Sequence, residues 1–123
     1  GRTVYDNQYW EVLWNEVTSG RGELSIGYLE DGTVATGTVV IDANKTAYYT
    51  SGAYDRELFD KPLGHFAVYN SILRASARSM KIYDLGEIFP KGSATEKQVK
   101  IGFFKKGFTS TFFLRTVWEI NLC

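Results

Sequence analysis

The 123 residues make one domain's length of chain, and 44% hydrophobic with 23% charged residues is a folded, globular composition, not a disordered one. Lys plus Arg and Asp plus Glu both total 14, so no global attraction to nucleic acid is expected, and DNA is not an expected partner. One His and one Cys, the latter at position 123, exclude a disulfide framework and a metal site of recognised spacing. No apolar run approaches the ~18 residues of a membrane span and no basic-then-apolar leader opens the chain, so a cytoplasmic location is expected. Gly1 in place of Met fits either a processed chain or a segment of a longer one.

In chain order, Asp6 is the expected cap of a helix over 6–18, with Tyr9, Trp10, Leu13, Trp14 and Val17 at three- and four-residue steps along a face that packs onto a sheet. Gly20 and Gly22 stop it. The period then falls to two at Leu24, Ile26 and Tyr28. The turn Glu30-Asp31-Gly32-Thr33 leads to a strand from Val34 to Ile41, and Asp42-Ala43-Asn44-Lys45 turns into Thr46 to Thr50. These make a three-stranded antiparallel meander. Residues 51–63 read as a loop. A helix follows from about Gly64 to Met80, with Phe66, Tyr69, Ile72, Leu73 and Ala77 on its buried stripe and Arg74 and Arg78 facing water. Lys81 to Leu85 is a short strand, Pro90 to Thr95 a mobile loop, and Thr95 caps a helix that Gly107 closes. Thr111 to Ile120 reads as a last, long strand. The order gives an α+β class, with helices flanking a mostly antiparallel mixed sheet in a single domain.

Nucleophile elbows, phosphate loops and dinucleotide fingerprints are all missing from the sequence. Chemistry must therefore rest on backbone groups, carboxylates, Tyr and Lys. Gly64, His65 and Phe66 stand at a helix start, where backbone N–H groups can receive an anion and His65 can act as a base; an ordinary surface turn explains the same residues. Asp84, at a strand end, can orient an amine or accept a proton, or simply cap the turn at Gly86. Tyr48 and Tyr49 face opposite sides of one strand, so one belongs to the core and the other is free to line a cleft. Lys97, Lys100, Lys105 and Lys106 form a local basic cluster beside Phe103, Phe104 and Phe108, suited to an anion or to a solvated helix face.

The segments AYYTSGAYD, Pro-Leu-Gly-His before a helix, KIYDLGEI after it and IGFFKKGF occur in that order. Together they resemble the C-terminal half of the Fem family, the peptidoglycan aminoacyltransferases, and related proteins of the GCN5-type N-acyltransferase (GNAT) fold. The resemblance spans roughly residues 6–120 and implies a sheet splayed between the strands at 46–50 and 81–85. It implies transfer of an activated acyl or aminoacyl group to a small-molecule amine acceptor, with acyl-CoA or an aminoacyl-tRNA as donor. Asp84, His65 and Tyr49 are then the catalytic candidates, and Gly64, Phe66, Lys105 and Lys106 the donor-binding ones. The alternative is a non-catalytic GNAT-like binding or dimerisation module, in which Trp10, Trp14 and Trp118 pack a homodimer interface. An RNA-binding role for 97–106 is a minor third reading.

Overall fold

Asp6 begins the first helix as its sequence position suggests: its Oδ1 accepts the Tyr9 N–H at 2.9 Å, capping α1 (Asn7–Thr18). The structure is a computed structural model that describes residues 5–58, 60–88, 92 and 95–109. They fall into two compact units, divided between Gly86 and Glu87. The expected mobile loop lies largely outside the described residues, and the strand at 111–120, with Trp118, lies wholly outside them.

In the first unit, β1 (Gly22–Tyr28), β2 (Val34–Ala43) and β3 (Thr46–Tyr54) form the antiparallel meander. Asn44 and Lys45 both hold positive φ, 51° and 65°, which makes the tight two-residue turn whose twist matches a hairpin. A fourth strand, β4 (Ile82–Asp84), lies parallel to β3, giving the order β1-β2-β3-β4. Parallel neighbours need a crossover, supplied by a single 3₁₀ turn (Arg56–Leu58) and α2 (Leu63–Ala77). The helix start therefore lies at the C-terminal ends of β3 and β4.

β3 runs to Tyr54, past the expected end at Thr50, because Ser51 to Tyr54 continue to pair with Val39 to Thr36 of β2. Small and polar residues there hid the strand from a periodicity reading.

The face of α2 that meets the sheet is the opposite of the expected one. Val68, Ser71 and Ala75 are buried, with Ala75 joining Val40 and Ala47 in the core beside Met80 and Tyr83. Phe66, Tyr69 and Leu73 are exposed, as is Ala77, and Ile72 is half-buried. Small side chains let the helix axis approach the sheet closely, a packing gain that outweighs the hydrophobicity of the bulky stripe. Turning the helix this way brings Arg78 down to the sheet instead of out to water, while Arg74 stays exposed as expected. Arg74 pairs with Glu23 of β1, and Arg78 reaches both Glu23 (3.0 Å) and Asp42 of β2 (2.8 Å). The two Arg contacts hold the half-buried Glu23 carboxyl below its ordinary range.

On α1 only Leu13 is buried, while Tyr9 and Val17 on either side of it are half-buried. Trp10 and Trp14 stay 46% and 57% exposed, contrary to the core reading. The helical period places them about 60° and 100° round from Leu13, past the arc one sheet can cover. Trp10 instead meets Tyr5 and Tyr9 edge-on.

In the second unit, Thr95 and Gln98 form a reciprocal capping box at the start of α3 (Glu96–Lys106), and Gly107 ends it. Gly102 is buried, with space for no more than van der Waals contact with Ile88. Phe104 and Phe108 meet edge-on, while Phe103 is 81% exposed.

Candidate active site at the parting of two strands

β3 and β4 are paired at three positions only: Thr46 with Ile82, Ala47 with Tyr83 and Tyr48 with Asp84. Beyond Tyr48, β3 goes on for six residues with no β4 neighbour. The two strands thus separate at their C-terminal ends, the end at which a parallel pair characteristically receives ligands. β4 is seated by the hairpin tip, where the Lys45 carbonyl accepts the N–H groups of Lys81 (2.7 Å) and Ile82 (3.3 Å).

Just past the last pair, β3 carries a bulge. Val40 faces Tyr49 and Val39 faces Ser51, which leaves Thr50 as the extra residue; its hydroxyl turns back to the Tyr48 carbonyl at 3.1 Å. The bulge shifts the alternation of faces, so Tyr49 and Gly52 share a side. A Cβ at Gly52 would overlap the Tyr49 phenol, so the ring lies over the glycine. Tyr49 is half-buried, and burial, then the nearby Tyr54, push its hydroxyl pKa upward. It therefore stays protonated and able to donate at neutral pH.

Tyr83, on the α2 side of β4, packs against the core, and its hydroxyl lies 2.5 Å from that of the buried Ser71. Ser71 gives its single proton to the Val68 carbonyl at 3.0 Å, so Tyr83 must be the donor between them. Burial pushes Tyr83 up to about 12, against the relief that Ser71 offers its anion, and Tyr49 adds to the rise. The Tyr83–Ser71 pair was not among the residues singled out from sequence. A serine inside an otherwise apolar helical stripe was the available signal.

The other candidates sort as follows. The Asp84 Oδ1 accepts the Gly86 N–H at 2.7 Å, a turn-capping bond, while Asp84 remains exposed at the end of the paired stretch. Gly64, His65 and Phe66 stand in the first turn of α2, whose cap position, Pro62, makes no side-chain bond. Two first-turn amides are already used: Leu63 donates to Lys61 (2.8 Å) and Phe66 to Pro62 (3.0 Å). Lys105 and Lys106 close α3 in the second unit, where the Lys105 ammonium donates to the Glu87 carbonyl at 2.7 Å. Among the described residues no three His, Cys, Asp or Glu side chains cluster as metal ligands, and no helix is long and apolar enough to cross a membrane.

The same architecture recurs in solved structures. The aminoglycoside 6′-N-acetyltransferase AAC(6′)-Ih of Acinetobacter baumannii aligns over 98% of this chain and 84% of its own, with a TM-score of 0.67 at 8% identity. An aminoglycoside acetyltransferase from an uncultured soil metagenomic sample aligns over 100% and 78%, with a TM-score of 0.60 at 12% identity. At such identities the likeness establishes the fold, that of the GNAT enzymes, and leaves substrates open. No curated sequence matches the chain. Its family is fixed by a different match: the model of the acetyltransferase (GNAT) domain fits residues 1–98, most of the chain. With that match added to a sheet parted between β3 and β4, the chain belongs to the GNAT acetyltransferase domain family.

Proposed function

We propose that this domain is an N-acyltransferase that moves an activated acyl group onto an amine in the gap between β3 and β4. The observation that carries the reading is the three-pair contact followed by a bulged strand with the Tyr49 phenol over Gly52. The donor, when bound, supplies the activated acyl carbon. The open half of β3 offers backbone N–H groups to a developing oxyanion, and positioning accounts for much of such an aminolysis. Asp84 stands at the rim, where it helps to position the acceptor. As the C–N bond forms, the amine loses a proton to His65 or water. The bond from the acyl carbon to the leaving sulfur or oxygen breaks, and that atom takes the Tyr49 proton, which solvent returns.

Gly64 and the exposed Phe66 are the donor contacts in the first unit. The residues fit a modest anion contact. Lys61-Pro62-Leu63-Gly64-His65 has one glycine, and the stretch from 55 to 61 sets Asp55, Glu57 and Asp60 against Arg56 and Lys61. Acyl-CoA is the donor we favour, and an aminoacyl-tRNA, as in the Fem-type enzymes, is the narrower option.

A melting series with acetyl-CoA, longer acyl-CoAs and free CoA tests the donor, since a ligand at 100 times its Kd stabilises by about 2.7 kcal/mol. Mass spectrometry of amines incubated with acetyl-CoA tests the reaction. An N-acetylated product that disappears in Tyr49→Phe supports the assignment. Failure with acyl-CoA together with product from charged tRNA would move the reading to aminoacyl transfer. The exposed Trp10 and Trp14 favour a second reading, a binding module that self-associates. A dimer mass by light scattering, with neither donor active, would establish that one.

A further inference from the structure

Tyr48 and Asp84 are the last register pair of β3 and β4, so their side chains leave the same face of the sheet as neighbours. That face is opposite the one carrying Ala47 and Tyr83, which packs on α2. Ile82, two residues before Asp84, shares it and is exposed. Tyr48 is 42% exposed, a ring presenting its surface where a strand aromatic would ordinarily be covered. The Gly86 N–H holds one Asp84 oxygen at 2.7 Å and fixes the carboxylate, and among the described residues Oδ2 has no hydrogen-bond partner. A ring face, a fixed carboxylate oxygen and an aliphatic side chain at one rim match an alkylammonium group: the carboxylate takes its N–H, the ring its charge and Ile82 its stem.

We propose that Tyr48, Asp84 and Ile82 form a subsite for a second, non-reacting positive charge, so that the acceptors of this domain are diamines or polyamines. This rests on the acyl-transfer reading and adds the substrate class. The gap opens at this very pair. An acceptor held by one ammonium at the rim extends its other nitrogen toward the bulge at Thr50, one or two residues on, at roughly 3.3 Å per residue. The reacting nitrogen must be neutral to attack, whereas the anchoring one must be charged. A pair that binds ammonium therefore serves the substrate only if it holds a different nitrogen from the one acylated.

The test compares acetylation of putrescine with that of butylamine, which has the same reacting end and lacks the second charge, using acetyl-CoA as donor. The wild-type chain is expected to favour putrescine by about tenfold in kcat/KM, mostly through KM. Asp84→Asn keeps an acceptor for the Gly86 N–H and should bring the ratio close to one. Tyr48→Leu should lower the ratio several-fold and Tyr48→Phe, which keeps the ring face, should preserve it. Melting curves of the three variants show that they are folded, and the wild-type ratio stands without them. Equal rates on the two amines overturn the subsite and leave acyl transfer intact. If neither amine is acetylated and acetyl-CoA fails to shift the melting curve, transfer from acyl-CoA falls and the subsite falls with it.

Discussion

The first three residues of β3, Thr46 to Tyr48, have a strand on either side, whereas Tyr49 to Tyr54 have β2 alone among the described residues. In the first stretch the ladder consumes the backbone polar groups, and Ala47, with no exposed surface, sits between Val40 and α2. In the second stretch one side of the backbone is left to pair with something else. There the residues turn small and irregular: Thr50 is bulged and Gly52 yields its space to a phenol. One strand thus supplies both the core of the sheet and the wall of its gap. The change of role falls at Tyr48, so substitutions on either side of it should fail in different ways.

The largest expected effect lies in the open stretch. With Tyr49 as the proposed general acid, Tyr49→Phe removes the proton intended for the leaving group, and kcat should fall about 10²-fold, the low end for such a role, with little change in Tm. Gly52→Ala should approach the same rate loss by another path, because its methyl displaces the Tyr49 ring. Assay of both beside their melting curves separates lost chemistry from lost folding. A Tyr49→Phe enzyme of undiminished rate would take the phenol out of the mechanism.

The paired stretch should answer in stability instead. Ala47→Leu forces three more carbons into a filled core and is expected to cost about 1–3 kcal/mol in denaturant unfolding. Alkaline pH probes the same region more gently. Tyr83 titrates near 10 in an unfolded chain and near 12 when folded. Between those values the unfolded chain has released a proton that the folded one retains, so the stability present below pH 10 drains away as pH rises toward 12. Tyr83→Phe should flatten that decline in Tm across the same window.

These regions were unequally legible in the sequence. The meander, β4 and the caps at Asp6 and Thr95 follow from local rules, since a turn or a cap depends on residues three or four apart. The buried face of α2 did not follow. Phe66, Tyr69 and Leu73 make the more hydrophobic stripe, and only the sheet's need for a close approach selects Val68, Ser71 and Ala75 over them. Arg78 was misread for the same reason, and the ion pairs of both Arg74 and Arg78 were out of reach because their partners Glu23 and Asp42 lie more than thirty residues away. At the site, Asp84 and Gly64 could be picked out by position in the chain. The pairing of Tyr48 with Asp84, and of Ser71 with Tyr83, exists only once β4 has docked.

The smallest expected effect concerns the tip that docks it. Lys45 holds φ 65° in the two-residue turn between β2 and β3, a left-handed conformation that costs a residue with a Cβ about 1 kcal/mol and costs glycine almost nothing. Asn followed by Gly is the pair such turns favour, and here Asn44 is followed by Lys. The work of the position is done by its backbone, since the Lys45 carbonyl receives the N–H groups of Lys81 and of Ile82, the first residue of β4. Lys45→Gly keeps that carbonyl, relieves the strain and gives back some entropy to the unfolded chain. The balance should be a gain of about 0.5 kcal/mol in unfolding free energy, with unchanged kcat. If the variant loses stability, the side chain rather than the carbonyl seats β4, and the gap then depends on a lysine that the backbone geometry does not require.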